Sequence, residues 1–122
     1  MNAYTSQNAY GRTDAPLRNA RSIEYDAFAR VTRALTAAIA QRDTAFATYA
    51  KALHDNQRLW TVLAADLGRE GNGFPAALKA QLFYLFKFTA QHTPKALKKE
   101  VGLEVLIEIN TSVMRGLRGE AA

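Results

Sequence analysis

An apolar stripe with helical spacing constrains this chain more than any other feature of its sequence. The stripe runs from Phe46 to Leu67, and Trp60, the only tryptophan, lies at its centre. At about 100° of rotation per residue, the other members fall within about 60° of Trp60; they are Phe46, Tyr49, Leu53, Asn56, Leu63, Ala64 and Leu67. The stripe predicts a long helix with Trp60 in the core. The alternative is that Trp60 anchors an interface.

Three further segments place their apolar residues on one side of a helix. The first helix is predicted from about Leu17 or Ser22 to Gln41, the third from Phe74–Pro75 to Thr93–Pro94, and the last from Leu103 to Leu117. Their inner arcs are Phe28, Val31, Thr32, Leu35 and Ile39, then Leu78, Leu82, Leu85, Phe86 and Thr89, then Leu103, Leu106, Ile107, Asn110, Val113, Met114 and Leu117. No segment alternates like a strand. The sequence therefore predicts an all-α fold, a small antiparallel helical bundle of about four helices.

Turn and cap residues mark the links between these helices. Asp43 and Thr44 are suitable N-caps for the second helix, and the glycines from Gly68 to Gly73 end that helix. Pro75 fits the first turn of the third helix, where its missing N–H does no harm.

Length and composition fit one domain. The chain has 122 residues, of which 48% are hydrophobic, so one core can form. Residues 1–16 have no apolar period and are predicted to be a flexible N-terminal arm ahead of a single helical-bundle domain at residues 17–119. The absence of cysteine excludes disulfides and thiolate catalysis.

Hydropathy and charge limit the classes of partner that the sequence predicts. The longest strongly apolar run, Leu82 to Phe86, is far shorter than the roughly 20 residues that span a bilayer, and no signal peptide precedes it. A cytoplasmic protein without membrane contact is therefore predicted. The net charge of +5 forms no dense basic face, so nucleic-acid binding gains little from it.

The ionisable residues do not form a catalytic pattern. His54 and His92 lie on different helices without companions at metal-ligand spacing. Asp55 and Asp66 are about 16 Å apart along one helix, too far for paired carboxylate catalysis. We therefore expect no enzyme, no metal, no cofactor and no small-molecule substrate.

Two polar residues lie on inner arcs. Asn56 and Asn110 are predicted to be buried amides that fix the register of the helices, because a buried amide without a partner costs roughly 1–3 kcal/mol. The alternative is that these amides recognise the backbone of a partner.

A second stripe on the third helix supplies the candidates for partner binding, which are Ala77, Tyr84, Phe88 and Gln91. A helix with this much apolar surface either packs against two neighbours or keeps one face for a partner. The alternative for Tyr84 and Phe88 is therefore packing against the first helix.

Several short motifs, in this order and spacing, resemble the flagellar biosynthesis regulator family FlaF of alphaproteobacteria over roughly residues 20–118. They are Asn56, Leu59-Trp60-Thr61, Asp66-Leu67, Asn72, Pro75, Leu78, Leu106-Ile107-Glu108-Ile109-Asn110 and Gly116-Leu117. The chain departs from the family after Leu82, where Phe83-Tyr84-Leu85-Phe86 and Phe88 replace a mostly aliphatic run of small residues.

The resemblance implies a regulator that supports flagellin synthesis and secretion, with flagellin as a partner and the regulator FlbT as a second one. The corresponding mechanism is a cytoplasmic export chaperone that holds an amphipathic helix of unassembled flagellin. The alternative is a post-transcriptional regulator of flagellin mRNA translation that acts directly or with FlbT. Direct contact with the mRNA is not expected, because the charge is scattered and no RNA-binding motif is present.

Overall fold

The computed structural model describes the backbone of residues 15–119 and the side chains of residues 24–119. Four helices make up most of this part: α1 (Ala15–Ala38), α2 (Phe46–Leu67), α3 (Ala76–Leu97) and α4 (Glu104–Leu117). A short 3₁₀ turn, Ile39–Gln41, follows α1, and the described residues contain no strand. The predicted all-α bundle is confirmed. The predicted arm falls mainly on residues 1–14, outside the described residues, and α1 already begins at Ala15.

The helices form a ring that is open along one seam. Close backbone packing joins α1 with α2, α2 with α3, and α1 with α4. The pair α3 and α4 is not packed in this way, although the two helices are consecutive in the chain. A groove therefore remains between α3 and α4, and the α1–α2 seam lies on the opposite side of the bundle.

A polar layer divides the core into two apolar clusters. One cluster contains Leu35, Ala38, Tyr49, Ala52, Leu53, Ala96, Leu103 and Leu106. The other contains Phe28, Trp60, Leu63, Leu67, Phe74, Leu82 and Val113. Between them lie the polar residues Thr32 of α1, Asn56 of α2, Thr89 and Thr93 of α3, and Asn110 of α4. Trp60 is fully buried beside this layer, with its ring edge-on to Phe28 at 5.4 Å.

The predicted end of α3 is wrong. The helix continues through Pro94 to Leu97. Pro94 lacks the N–H that would bond to the preceding turn, but contacts with another helix stabilise the turn that follows it. Ala96 is fully buried, and its carbonyl accepts a hydrogen bond of 3.0 Å from the Tyr49 hydroxyl.

Three local predictions also need correction. Neither Asp43 nor Thr44 caps α2, whose N-cap is Ala45 without a side-chain hydrogen bond. Pro75 is the N-cap of α3 rather than a residue of its first turn. Ile39 is 39% exposed and begins the 3₁₀ turn, whereas Ala38, the last residue of α1, is buried in the core.

Candidate functional site

The open seam between α3 and α4 forms a mostly apolar groove of about 420 Å³. The groove is lined by Leu78, Gln81, Leu82 and Leu85 from α3, and by Ser112, Val113, Arg115, Gly116 and Leu117 from α4. Its apolar residues also belong to the rim of the core or pack against it. A solvent-accessible apolar groove between two helices fits an amphipathic helix better than a small polar ligand.

The candidate partner-binding stripe of α3 is exposed. Tyr84 is 71% and Phe88 is 36% exposed, and Ala77 and Gln91 are exposed as well. Because α3 does not pack closely against α1, the alternative in which both rings pack against the first helix is wrong. Exposed apolar patches can mark interaction surfaces, so this face is a candidate for partner binding.

The exposed stripe continues into the groove. Around the axis of α3, Phe88 lies about 20° and Tyr84 about 60° from Gln81, which lines the groove. The rings therefore extend the groove on its α3 side. Together, the groove and the stripe of Ala77, Tyr84, Phe88 and Gln91 form one surface, which we call the α3–α4 face.

Phe88 is held in place by its neighbours. Its ring stacks on His92 with centroids 5.3 Å apart. The Nε2 atom of His92 lies 2.7 Å from the Gly102 carbonyl oxygen. Since a carbonyl only accepts, Nε2 carries the hydrogen and donates it. His92 thus ties Phe88 to the α3–α4 connection, and this rigidity lowers the entropy cost of binding.

Gly116 leaves space in the wall of the groove. Apart from its own stretch of helix, a Cβ atom at this position would meet no described atom within 4 Å. A glycine inside a helix costs roughly 0.5–1 kcal/mol relative to alanine. Neither backbone conformation nor close packing requires glycine at this position, so the missing side chain mainly widens the groove.

The buried amides are not available to a partner. Asn110 accepts a hydrogen bond from Trp60 Nε1 at 3.0 Å and donates through Nδ2 to Asn56 Oδ1 at 2.7 Å and to Thr32 Oγ1 at 3.1 Å. Both Asn56 and Asn110 are 0% exposed. Their amides join α1, α2 and α4, so recognition of a partner backbone by these residues has no structural basis.

Asp66, Leu67, Asn72 and Pro75 build the α2–α3 turn, whereas Leu59 lies within α2. Asn72 donates to the Asp66 carboxylate at 2.9 Å and accepts from the Phe74 backbone N–H at 2.9 Å. Leu67 is buried beneath the turn, Leu59 is half-buried against the core, and Pro75 leads into α3. These residues position α3 relative to α2, and thereby one wall of the groove.

Glu24 of α1 has a perturbed carboxyl group and interacts electrostatically with Asp66 of α2. Burial, followed by the nearby negative charge of Asp66, raises the pKa of the Glu24 carboxyl from 4.5 to about 7. Its Oε1 atom is buried and has no hydrogen-bond partner among the described residues. Within the same part of the chain, no group of acidic, histidine or cysteine side chains could hold a metal ion.

The sequence predicts the stripe on α3 but not the groove beside it. Leu78, Leu82 and Leu85 were predicted as inner-arc residues without a seam beside them, and Ser112 and Arg115 were not singled out. The one available signal was Gly116, a glycine near the end of an otherwise regular amphipathic helix.

Comparison with known proteins gives one result. No curated protein and no solved structure matches the chain. The family model described as flagellar protein FlaF matches residues 6–117, which is most of the sequence. No helix in the described part of the chain is long and apolar enough to cross a membrane. The chain therefore belongs to the FlaF family of flagellar proteins.

Proposed function

We propose that this protein binds unassembled flagellin in the cytoplasm and acts as its export chaperone. The observation that carries the proposal is the α3–α4 face, an apolar groove extended by the exposed Tyr84 and Phe88 rings. Membership in a flagellar family favours a partner from the flagellum, and flagellin is the subunit that would need protection before export.

The physical argument concerns the apolar ridge of an amphipathic helix. Before assembly, such a ridge on flagellin is exposed to water and can associate with other copies. In the α3–α4 groove, the ridge would pack against Leu82, Leu85 and Val113, with Tyr84 and Phe88 closing over it. Each fully buried aliphatic side chain contributes roughly 1.5–3 kcal/mol, so a few contacts would suffice for reversible binding.

The first test replaces the two exposed aromatic residues. The double variant Tyr84→Ser, Phe88→Ser should weaken binding of monomeric flagellin by about 2 kcal/mol or more, or roughly thirtyfold, because aromatic anchors dominate such interfaces. Its melting temperature should fall only slightly, because Tyr84 is 71% exposed and neither ring belongs to an apolar cluster of the core, although the Phe88 stacking on His92 is lost. Isothermal titration calorimetry and circular dichroism measure both quantities.

Phe83→Ser is the matched control. Phe83 is also exposed, but it lies about 100° from Tyr84 on the side away from the groove. This variant should bind flagellin like the wild type. Equal affinity of the wild type and the double variant would contradict the proposal.

The same titrations test the mRNA alternative. If flagellin leader RNA were the direct ligand, binding would fall steeply with salt and depend on Lys95, Lys98 and Lys99. Lys99 already pairs with Asp43 at 3.2 Å, which lowers the charge available to a phosphate. Salt-sensitive RNA binding without flagellin affinity would overturn the chaperone proposal in favour of translational control, directly or with FlbT.

A further inference from the structure

A second groove lies along the α1–α2 seam, on the side of the bundle opposite the α3–α4 face. It has a volume of about 470 Å³. The apolar part of its lining consists of Ala27, Val31, Ala34, Leu59 and Val62. Val62 is 61% exposed, although it lies in the helix that carries the core tryptophan. The groove is therefore an apolar surface that the described residues do not cover.

The charges beside this groove are predominantly positive. Arg30 of α1 and Arg58 of α2 both line it and are both exposed. Neither arginine forms an ion pair with a described residue. The acidic residue of the groove, Asp55, is already paired with Lys51 at 2.7 Å. Two guanidinium groups from adjacent helices, neither with an ion-pair partner among the described residues, thus flank an apolar trough.

We infer that the α1–α2 groove binds an amphipathic helix of a second protein, with its apolar ridge in the trough and acidic residues along its flanks. The apolar lining selects a ridge of aliphatic side chains, because Val31, Leu59 and Val62 offer no hydrogen-bonding groups from their side chains. The arginines select carboxylates, which can accept two parallel hydrogen bonds from one guanidinium group. A nucleic acid would satisfy the arginines but leave the aliphatic trough against a charged backbone.

The position of the groove gives the inference a functional consequence. Because the two grooves lie on opposite sides of the four-helix ring, both can be occupied at the same time. The bundle can therefore hold one helix on its α3–α4 face and connect it to a second, acidic partner. Binding on the α1–α2 side does not depend on flagellin being the ligand of the other face.

A synthetic peptide serves as the probe. It is a helix of about 18 residues with leucines at positions i, i+3, i+4 and i+7 and glutamates on both flanks. Titrated into ¹⁵N-labelled protein, it should shift the amide signals of Ala27, Val31 and Val62. Arg30→Glu combined with Arg58→Glu should weaken its binding at least about tenfold, and added salt should weaken wild-type binding in the same direction.

Two controls make the result specific. Arg33→Glu combined with Lys98→Glu changes the net charge equally at exposed positions outside the groove, and this variant should bind the peptide like the wild type. A peptide with lysine in place of every glutamate should bind at least about tenfold more weakly than the acidic one. The Arg30→Glu, Arg58→Glu variant should keep its affinity for flagellin. Peptide binding and flagellin binding therefore test the two proposals independently.

Three outcomes would overturn the inference. One is the absence of binding at millimolar peptide, and another is a set of shifted amides confined to the α3–α4 face. The third is dimerisation of the wild type that Arg30→Glu, Arg58→Glu abolishes without any peptide, because a second copy of this chain would then be the occupant. Peptide binding at Val31 and Val62 that requires both arginines and the acidic flanks of the peptide would support the inference.

Discussion

At the scale of single residues, Asn110 connects three helices through one side chain. Its side chain is the shared partner of Trp60, Asn56 and Thr32, and it lies between the two apolar clusters of the core. Asn56 is less well satisfied, since its Nδ2 atom is buried without a partner in the described part of the chain. The two amides have similar burial but different hydrogen bonding, and therefore different expected contributions to stability.

Asn110→Ala should lower the free energy of unfolding by roughly 2–4 kcal/mol, because it leaves the Trp60 N–H and the Asn56 carbonyl unpaired and opens a small cavity. Asn56→Ala should cost less, since it also removes an unpaired donor and leaves Asn110 bonded to Thr32. Urea denaturation measures both. Ser112→Ala, an exposed change on the same helix, is the control; a larger loss for Asn56→Ala than for Asn110→Ala would contradict the hydrogen-bond assignment.

Lys99 combines a strained backbone with useful side-chain contacts. It ends α3 with a φ of 64°, in the left-handed region that favours glycine. Its amide donates to the Ala96 carbonyl at 3.0 Å, and its Nζ lies 5.2 Å from the centre of the Phe46 ring. The side-chain contacts with Asp43 and Phe46 offset part of the backbone cost.

Comparing Lys99→Ala with Lys99→Gly separates these effects. Both variants lose the side-chain contacts, but only alanine keeps the left-handed strain, so the glycine variant should be more stable by about 1 kcal/mol. This order is the reverse of that expected inside a helix. Chemical denaturation of the two variants checks it, and a more stable alanine variant would show that the φ of this residue is not 64° in solution.

Glu24 makes stability depend on pH. Because its pKa is about 7 in the folded protein and 4.5 is its ordinary value, the folded state holds the proton more tightly than the unfolded state between these values. This contribution to stability is therefore present below about pH 4.5 and is lost as the pH rises through 7. Glu24→Gln should flatten the fall in melting temperature between pH 5 and pH 8, whereas Asp26→Asn, an exposed neighbour, should not; an unchanged fall in Glu24→Gln would contradict the assignment.

At the scale of helices, their existence and inner faces could be predicted, because a period of 3.6 residues determines which side of each helix is buried. The inner arcs correctly included Leu35, Trp60, Leu82 and Leu106. Helix ends were less predictable. The end of α3 depends on Tyr49 reaching the Ala96 carbonyl across the bundle, and no local pattern shows such a contact.

Only part of the candidate site was predictable, because a local sequence pattern does not show contacts between helices. A surplus apolar stripe on α3 is visible in one helix, so Tyr84 and Phe88 could be selected from the sequence alone. A groove needs two helices, and the sequence does not specify that α3 and α4 are the pair left apart when the ring closes. The α1–α2 groove was missed as well, since Val62 and Arg58 look like ordinary surface residues outside the stripe of α2.

At the scale of the whole molecule, the bundle combines a fixed core with two surface grooves, one at the open α3–α4 seam and one over the packed α1–α2 pair. The polar layer fixes the register of α1, α2 and α4, and the Asn72 turn fixes the approach of α3. Rigid helices on either side of a groove keep it preformed, which reduces the ordering cost of binding. We propose that flagellin occupies the α3–α4 groove.

The most direct test of this claim uses Gly116, where the groove has room for a side chain. Gly116→Ala should raise the free energy of unfolding by roughly 0.5–1 kcal/mol and leave flagellin affinity near that of the wild type. Gly116→Leu should also fold stably, but its side chain should fill the groove and weaken binding at least about tenfold, as measured by calorimetric titration with monomeric flagellin. If the folded leucine variant binds flagellin as tightly as the alanine variant, the ligand does not occupy this groove and the account is contradicted.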